Sequence, residues 1–516
     1  MRIAKVIDYY KNAVKISGCQ FRFRAIKNLT MKKTITATIL TILICFHFSG
    51  CKNNRTAIDS KTLEEIEAKL SRNLNNSEKK PNIKLDRMFF QSPKTEMWDT
   101  WLYYEKGTFH LFWLDGPIPN WDSHVKATSD NGVDWYYRGS IHQKPDSLQW
   151  TGTGHTWKAP DFENNHLYIT NYSECKIGRT NQSIQFLVSK DLEKWVKVDE
   201  KFRFKADPRW YVEDGRWDCI DVVKRDSGGY YGYWTATPNP AIIPGALVGF
   251  GKSENGLVWE SLKPPVVHLD RNAVEVGGIH KLKDKYYLLL SEGIVCVGNS
   301  PFGPFEPQKI NTNMFGGKMY FPRFFHNHPD GLMVNYHMTG GVVNMAPLKL
   351  VEVGDDGIMR AVWWKGNEQL KDKSISINFE KEARNSIQYI KETFSTNTGT
   401  MVEGVVDASE ENSNSKIYLE DISGNVYQIE FKGSEVIYTF KEKGKNETKE
   451  IAVTDRGIKV GNKTQFRILL KDDCIESYCN NYLMTINRIP KWNGKIGVPS
   501  TNATLNIIKI YQTQKK

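Results

Sequence analysis

The chain has 516 residues, 40% of them hydrophobic and 25% charged, which excludes an extended disordered protein and points to more than one folded domain. Its formal net charge of +11 invites a nucleic-acid partner, but residues 1–50 hold nine Lys/Arg against one acid, whereas 51–516 hold 61 basic and 58 acidic residues. A body that close to neutral has no overall electrostatic footprint for DNA or RNA.

The first readable element is an address. Residues 31–51 read MKKTITATILTILICFHFSGC: two lysines, an apolar run from Ile35 to Phe48, then Ser49-Gly50-Cys51. The run is shorter than the roughly 20 residues that a membrane-spanning helix needs. It resembles a bacterial lipoprotein signal, with 31–50 as the signal peptide and Cys51 as the lipidated mature N-terminus. Met31 reads as the start, and 1–30 as a spurious upstream extension. The expectation is an exported protein of the bacterial cell envelope. It would touch the membrane through its lipid anchor only, as an outer-membrane lipoprotein with a periplasmic or surface face. Polar residues 51–85 read as a tether, with a short helical stretch over 62–74. Beyond the leader, Cys175, Cys219, Cys296, Cys474 and Cys479 form no CxxC pair and no zinc-type spacing, so no disulfide framework is expected.

From Met88 onward the chain reads as short strands broken by Gly, Asn, Asp and Pro. Ser129-Asp-Asn-Gly-Val-Asp-Trp135, Ser189-Lys-Asp-Leu-Glu-Lys-Trp195 and Ser253-Glu-Asn-Gly-Leu-Val-Trp259 repeat a Ser six residues before a Trp, and Ser300–Phe305 is a weaker copy. Aromatic-rich strands precede the copies at 103–113, 166–172, 230–237 and 285–291, with a fifth at 332–337. Each copy reads as a turn closed by the aromatic that opens an outer strand. Five such units predict an all-β fold, a five-bladed β-propeller over 86–348. After a bridge at 349–372, residues 373–516 change composition and read as a second all-β domain, a β-sandwich.

Inner propeller strands converge on the axis, so acids at their starts meet although they are distant in sequence. Glycosidic hydrolysis needs such a meeting of carboxyls. Asp99 opens the first inner strand, after Trp98. The second blade offers His155, Trp157 and Asp161, residues suited to holding sugar hydroxyls and faces. In the third, Glu213, Asp214, Asp218 and Asp221 crowd nine residues, with Asp218 the choice and the other two aspartates held in reserve. In the fourth, Glu275 stands between apolar residues before Gly277-Gly278. Burial there raises a carboxyl pKa and suits a general acid, and the glycines leave room for a ligand. Arg323 in the fifth would clamp Glu275 or a substrate hydroxyl.

These motifs resemble the five-bladed propeller glycoside hydrolases, the group containing families 32, 43, 62, 68 and 117. Trp98-Asp99 leading to Gly107-Thr-Phe-His-Leu-Phe-Trp113 is similar to the family 32 opening, whose Asp is the nucleophile. Arg216-Trp217-Asp218 stands where family 32 has Arg-Asp-Pro, whose Asp stabilises the transition state. Glu275-Val276 stands where it has Glu-Cys, whose Glu is the acid/base. The segment Glu275-Val-Gly-Gly-Ile-His-Lys also resembles the acid-bearing blade of family 43, and the trailing domain is similar to the family 32 sandwich. The Asn-Asp-Pro-Asn-Gly signature is absent, and one extra residue separates Arg216 from Asp218.

The resemblance implies a glycosidase acting on a glycan or oligosaccharide, with a furanoside (fructosyl or arabinosyl) the family-weighted substrate. Asp99 would be nucleophile, Asp218 stabiliser and Glu275 acid/base, with Trp98, His155, Trp157, Asp161 and Arg323 binding substrate. No cofactor or metal is expected. The alternative is a catalytically inactive, carbohydrate-binding surface lipoprotein of the same fold.

Overall fold

The computed structural model describes residue 58 and residues 60–72, 80–118, 120–159, 167–178, 182–317, 319–407, 415–458, 463–500 and 504–513. The expected leader, the lipidation residue Cys51 and the candidate Asp161 lie outside the described residues.

The Ser-to-Trp repeats are one hydrogen-bonded turn built three times. Ser129 Oγ accepts the Gly132 amide at 2.9 Å, and Asn131 Oδ1 accepts those of Val133 and Asp134 at 2.9 and 2.8 Å. Ser253 Oγ accepts the Gly256 amide at 2.8 Å, and Asn255 Oδ1 those of Leu257 and Val258 at 2.9 Å. In the middle copy Asp191 Oδ1 accepts the Glu193 and Lys194 amides at 2.8 Å. A short polar side chain at this point satisfies amides that the turn strips from the sheet ladder. Each turn joins a third strand to a fourth: Ser123–Ser129 to Tyr136–Gln143, Gln182–Ser189 to Val196–Lys197, and Gly249–Ser253 to Glu260–Ser261. Trp135 and Trp195 then enter the core.

Four antiparallel sheets of this kind follow one another in chain order. Their inner strands pack in a closed ring. Met97–Glu105 lies against Thr156–Lys158, whose partner Tyr168–Lys176 lies against Trp217–Lys224. That strand meets Val276–Leu282, which meets Met319–Phe325, which returns to Met97–Glu105. The arrangement is propeller-like, but the fifth expected blade is not a sheet of its own. Met319–Phe325 and Met333–Met338 begin it, and Lys349–Val353 and Met359–Trp363 carry it on to Tyr482–Arg488 of the C-terminal domain, with Val362 opposite Tyr482. The expected bridge 349–372 thus contributes two strands to this sheet, followed by a short 3-10 helix, Lys365–Leu370. The pairing covers an edge whose amides and carbonyls would otherwise stand free.

The C-terminal strands form two sheets. One is the continuation just described, through Cys474–Cys479, Lys463–Lys471, Thr400–Asp407 and Thr504–Gln512; the other contains Asn493–Pro499, Ser415–Asp421, Val426–Lys432, Glu435–Lys441 and Thr448–Asp455. Alternating residues such as Ile417, Leu419, Ile429, Ile468, Leu470 and Ile496 form the core of this β-sandwich. At the seam with the ring, Lys349 Nζ lies 2.8 Å from Glu476 Oε1, both fully buried. Tyr478 Oη donates to Glu476 Oε2 at 2.8 Å and Tyr336 Oη to Oε1, so neither buried charge is left unpaired.

The expected tether is corrected over part of its length. Ser60–Arg72 is a helix whose Ile66, with Ile58 before it, is buried in one core cluster with Ile184, Phe186 and Val196 of the second sheet and Val198 just after it. Lys201 Nζ donates to Thr62 Oγ1 at 2.9 Å, and Lys190 Nζ pairs with Glu67 at 2.7 Å. Ile83–Lys84 adds an outer strand to the first sheet. Cys175, Cys219, Cys296, Cys474 and Cys479 are all buried. Among the described residues no helix is long and apolar enough to cross a membrane.

Candidate active site

The inner strands are irregular at one level, and that irregularity builds the site. The ladder slips between Trp98 and Trp101, between Asp218 and Ile220, between Val276 and Gly278, and between Tyr320 and Arg323. Three of these bulges hold a non-glycine residue at positive φ: Asp99 at 48°, Cys219 at 37° and Phe321 at 47°. Such conformations cost on the order of 1 kcal/mol or more each and persist where the surroundings over-determine them. At Cys219 the slip lets Asp218 line the pit while Asp221, three residues on, meets His155.

The result is a pit of about 310 Å³ whose walls include Asp99, Asp218 and Glu275 from the first, third and fourth units. Trp98, Trp121 and Trp150 supply apolar faces, with Trp98 edge-on to Trp121 at 6.5 Å and Trp121 edge-on to Trp150 at 6.2 Å. Gly152 also lines the pit, and a Cβ there would come within 2.1 Å of Ser173 Oγ and 3.1 Å of Asp218 Oδ1.

Arg216 bridges the buried Asp218 and the partly buried Glu275. Its Nη2 donates to Glu275 Oε1 at 2.6 Å and lies 3.4 Å from Asp218 Oδ2, while its Nε donates to Gln182 Oε1 at 3.1 Å. The same Gln182 oxygen accepts the Trp217 amide at 3.1 Å, fixing the strand start and the guanidinium at once. Tyr320 Oη donates to Glu275 Oε2. Burial, then the neighbouring Glu275, push the Tyr320 phenol well above its usual range, so it remains a donor. Asp218 Oδ1 has no hydrogen-bond partner among the described residues.

Asp99 carries the perturbed carboxyl. Burial first, then the charges of Glu275 and Asp218, raise its pKa to about 7, against the opposing pull of Arg323 and Arg216. Near neutral pH the Asp99 carboxyl therefore exchanges between its protonated and charged forms. Two-carboxylate chemistry places such a perturbed group beside a second carboxyl, and Glu275 and Asp218 line the same pit.

Of the residues singled out in the sequence, Trp98, Asp99, Asp218 and Glu275 meet in the pit. Asp214 is exposed, and Asp221 lies deeper on the axis, fully buried. His155 and Trp157 do not join the pit. Beyond Thr153 the chain runs down the axis, so both line a second cavity with Val222, Tyr230, His280 and His326. Trp157 is buried there, edge-on to Phe186 and Trp259. Arg323 clamps neither Glu275 nor the open pit. It is fully buried, stacks on Phe321 at 4.3 Å and donates from Nη2 to Thr153 Oγ1 at 3.0 Å; Thr153 in turn donates to the Asp99 carbonyl at 3.1 Å. Arg323 thus supports the Asp99 bulge from beneath.

Arg216, Tyr320, Gln182, Trp121 and Trp150 were not among the candidates. Arg216 had a signal, two residues before Asp218, and Tyr320 stands three before Arg323 in the fifth inner strand. Gln182 opens a third strand, Trp150 sits on the short strand Leu148–Thr151 and Trp121 in a loop, and none carries a local mark.

No protein-family model matches this sequence, and no curated protein matches it. Solved structures do share its fold. The exo-inulinase of Aspergillus awamori aligns with a TM-score of 0.63 at 14% identity, over 83% of this chain and 98% of its own. The Bombyx mori GH32 β-fructofuranosidase, solved with sucrose, gives 0.62 at 14%, over 89% and 99%. The Schwanniomyces occidentalis fructofuranosidase, solved with fructosylnystose, gives 0.60 at 12%, over 83% and 98%. The chain has the fold of these proteins along almost their whole length.

Proposed function

We propose that the protein is a glycoside hydrolase whose substrate is an oligosaccharide or glycan, with β-fructofuranosides the first class to test. The observation that carries the proposal is the meeting of Asp99, Asp218 and Glu275, from three separate sheets, in one tryptophan-walled pit. The fold shared with enzymes solved on sucrose and fructosylnystose supports the choice of sugar.

In this reading the substrate ring stacks on the Trp98 side of the pit. Asp99 in its charged form attacks the anomeric carbon, and the acid/base Glu275 protonates the departing glycosidic oxygen. Water, deprotonated by Glu275, then releases the sugar from Asp99. The unpartnered Asp218 Oδ1 accepts a substrate hydroxyl, a hydrogen bond that strengthens as the ring gains positive charge. Arg216 holds Asp218 and Glu275 at a fixed separation. An exported, lipid-anchored location through Cys51 belongs to the same proposal and rests on the sequence motif alone.

One observation favours the alternative of a binding protein without turnover. Both oxygens of Glu275 are engaged, by Arg216 and Tyr320, and a general acid must leave such partners to reach the leaving group. A panel of aryl furanosides, sucrose and fructo-oligosaccharides separates the two. Hydrolysis of sucrose or a fructo-oligosaccharide that falls roughly 10²–10⁴-fold in Glu275→Gln supports the hydrolase. Sugar-dependent thermal shifts with no hydrolysis of any substrate would replace it with the binding protein.

A further inference from the structure

Below the pit, on the same axis, a second group of side chains converges from three different units. Asp221 follows Asp218 by three residues on the inner strand Trp217–Lys224 and is fully buried. Its Oδ1 accepts the Val222 amide and its Oδ2 the Ile279 amide, each at 2.7 Å. His155 Nε2 lies 2.8 Å from Oδ1, and His326 Nε2 lies 3.3 Å from both oxygens. One donor atom from each of the three falls within 4.8 Å of the others. His326 is partly exposed, and the group borders a cavity of about 530 Å³, on the side away from the carboxylate pit.

We propose that His155, Asp221 and His326 bind a divalent transition-metal ion of the zinc type, which ties three units of the ring together across its axis. Two imidazole nitrogens and one carboxylate oxygen are the donors that such ions select; calcium and magnesium prefer sets made of oxygen alone. Three protein ligands leave a further coordination position, and His155 and His326 both line the cavity. The surroundings of His326 fit the geometry a ligand histidine requires. His326 Nδ1 lies 2.8 Å from His280 Nδ1, the two rings stacked at 5.0 Å and 12°. With Nε2 on the ion, His326 Nδ1 carries the proton and donates it to His280, which fixes both ring orientation and tautomer. Gly278 faces Asp221, and a Cβ there would come within 2.9 Å of Asp221 Oδ2. Among the described residues the ion-pair partners of this buried carboxylate are the two histidines, with no Lys or Arg.

The same contacts without an ion describe a hydrogen-bonded His–Asp–His relay, and the experiment decides between them. The full chain, free of any histidine tag and stripped with a chelator, is titrated with Co²⁺ and Zn²⁺. The expected result is one equivalent per chain, with visible Co²⁺ absorption bands that Zn²⁺ displaces and a Zn²⁺-dependent rise in melting temperature. Ca²⁺ and Mg²⁺ should give neither. His326→Gln and Asp221→Asn should each lose the equivalent and the melting shift. Absence of Co²⁺ bands and of stoichiometric metal in the unaltered protein overturns the proposal, a result that needs no variant to fold. Binding of equal strength in both variants, or equal displacement by Ca²⁺, overturns it as well.

Discussion

Arg216 donates to Glu275 across 2.6 Å, from the start of one inner strand to the start of the next. The two residues are 59 positions apart in the chain, and the contact exists only because the third and fourth units adjoin in the ring. It fixes the carboxyl proposed as acid/base and, through the same nitrogen, reaches Asp218. Arg216→Ala should reduce kcat/KM by about 10²–10³-fold, comparable to losing one preorganised donor at a charged transition state. Arg216→Lys should recover only part of this, because a lysine offers no fork to span two acids. Steady-state kinetics on one good substrate checks both, and unchanged rates would remove Arg216 from the site.

Leaving-group dependence distinguishes the roles of Glu275 and Asp99. Glu275→Gln should lose roughly 10²–10⁴-fold on a natural oligosaccharide but much less on a dinitrophenyl glycoside, whose departure needs no proton. Asp99→Asn should be inactive on both, since it cannot form the glycosyl bond. The reverse pattern would exchange the roles, an outcome that the raised pKa of Asp99 makes worth measuring. If Asp99 attacks carbon, NMR should show the first-formed product retaining its anomeric configuration; inversion would make it the base for water.

The Asp99 carboxyl sets a pH dependence with a definite sign. Its pKa is about 7 in the fold against 3.8 as a free side chain. Attack requires the charged form, so kcat/KM should fall as pH drops below about 7. Stability runs the other way. The folded chain holds this proton more tightly, so the contribution is full below about pH 4 and is lost as pH rises through about 7. Asp99→Asn should therefore melt above the unaltered protein at pH 8, by at most a few kcal/mol, and alongside it at pH 4. Melting curves at the two pH values test this directly.

The seam between ring and sandwich depends on one buried ion pair. Glu476→Gln leaves the Lys349 ammonium uncompensated at full burial and should cost about 3–5 kcal/mol. Replacing both partners, as Lys349→Met with Glu476→Leu, should cost less than that single change. Denaturant unfolding of the three proteins measures the difference, and equal losses would show that the charges do not act as a pair.

Gly277 tests the bulge geometry. A Cβ at that position would stand 2.3 Å from the Pro322 carbonyl oxygen, a backbone atom that cannot move aside alone. Gly277→Ala should push apart the inner strands that carry Glu275 and Tyr320. The expected outcome is a loss of at least 1 kcal/mol in stability together with a large loss of activity. Wild-type kinetics in this variant would mean that the pit tolerates the shift.

The sequence by itself determined the local elements. Ser129, Asn131, Ser253 and Asn255 specify their turns through bonds to amides two or three residues away, so the repeats and their strands were legible without a partner. The candidacy of Asp99, Asp218 and Glu275 was legible for the same reason, because each marks the start of an inner strand. Which side chains meet was decided by tertiary structure alone. Strand alternation cannot place Asp218 and Asp221 both on the axis, and the bulge at Cys219 does so. His155 reads as a sugar ligand when counted along the chain, yet the path of its strand carries it past the pit to Asp221 and His326. The fifth unit reads as a closed blade until its outer edge finds Tyr482, more than a hundred residues on. Turns are fixed by bonds between near neighbours, whereas the site and the seam are fixed by packing between segments that only the closed ring brings together.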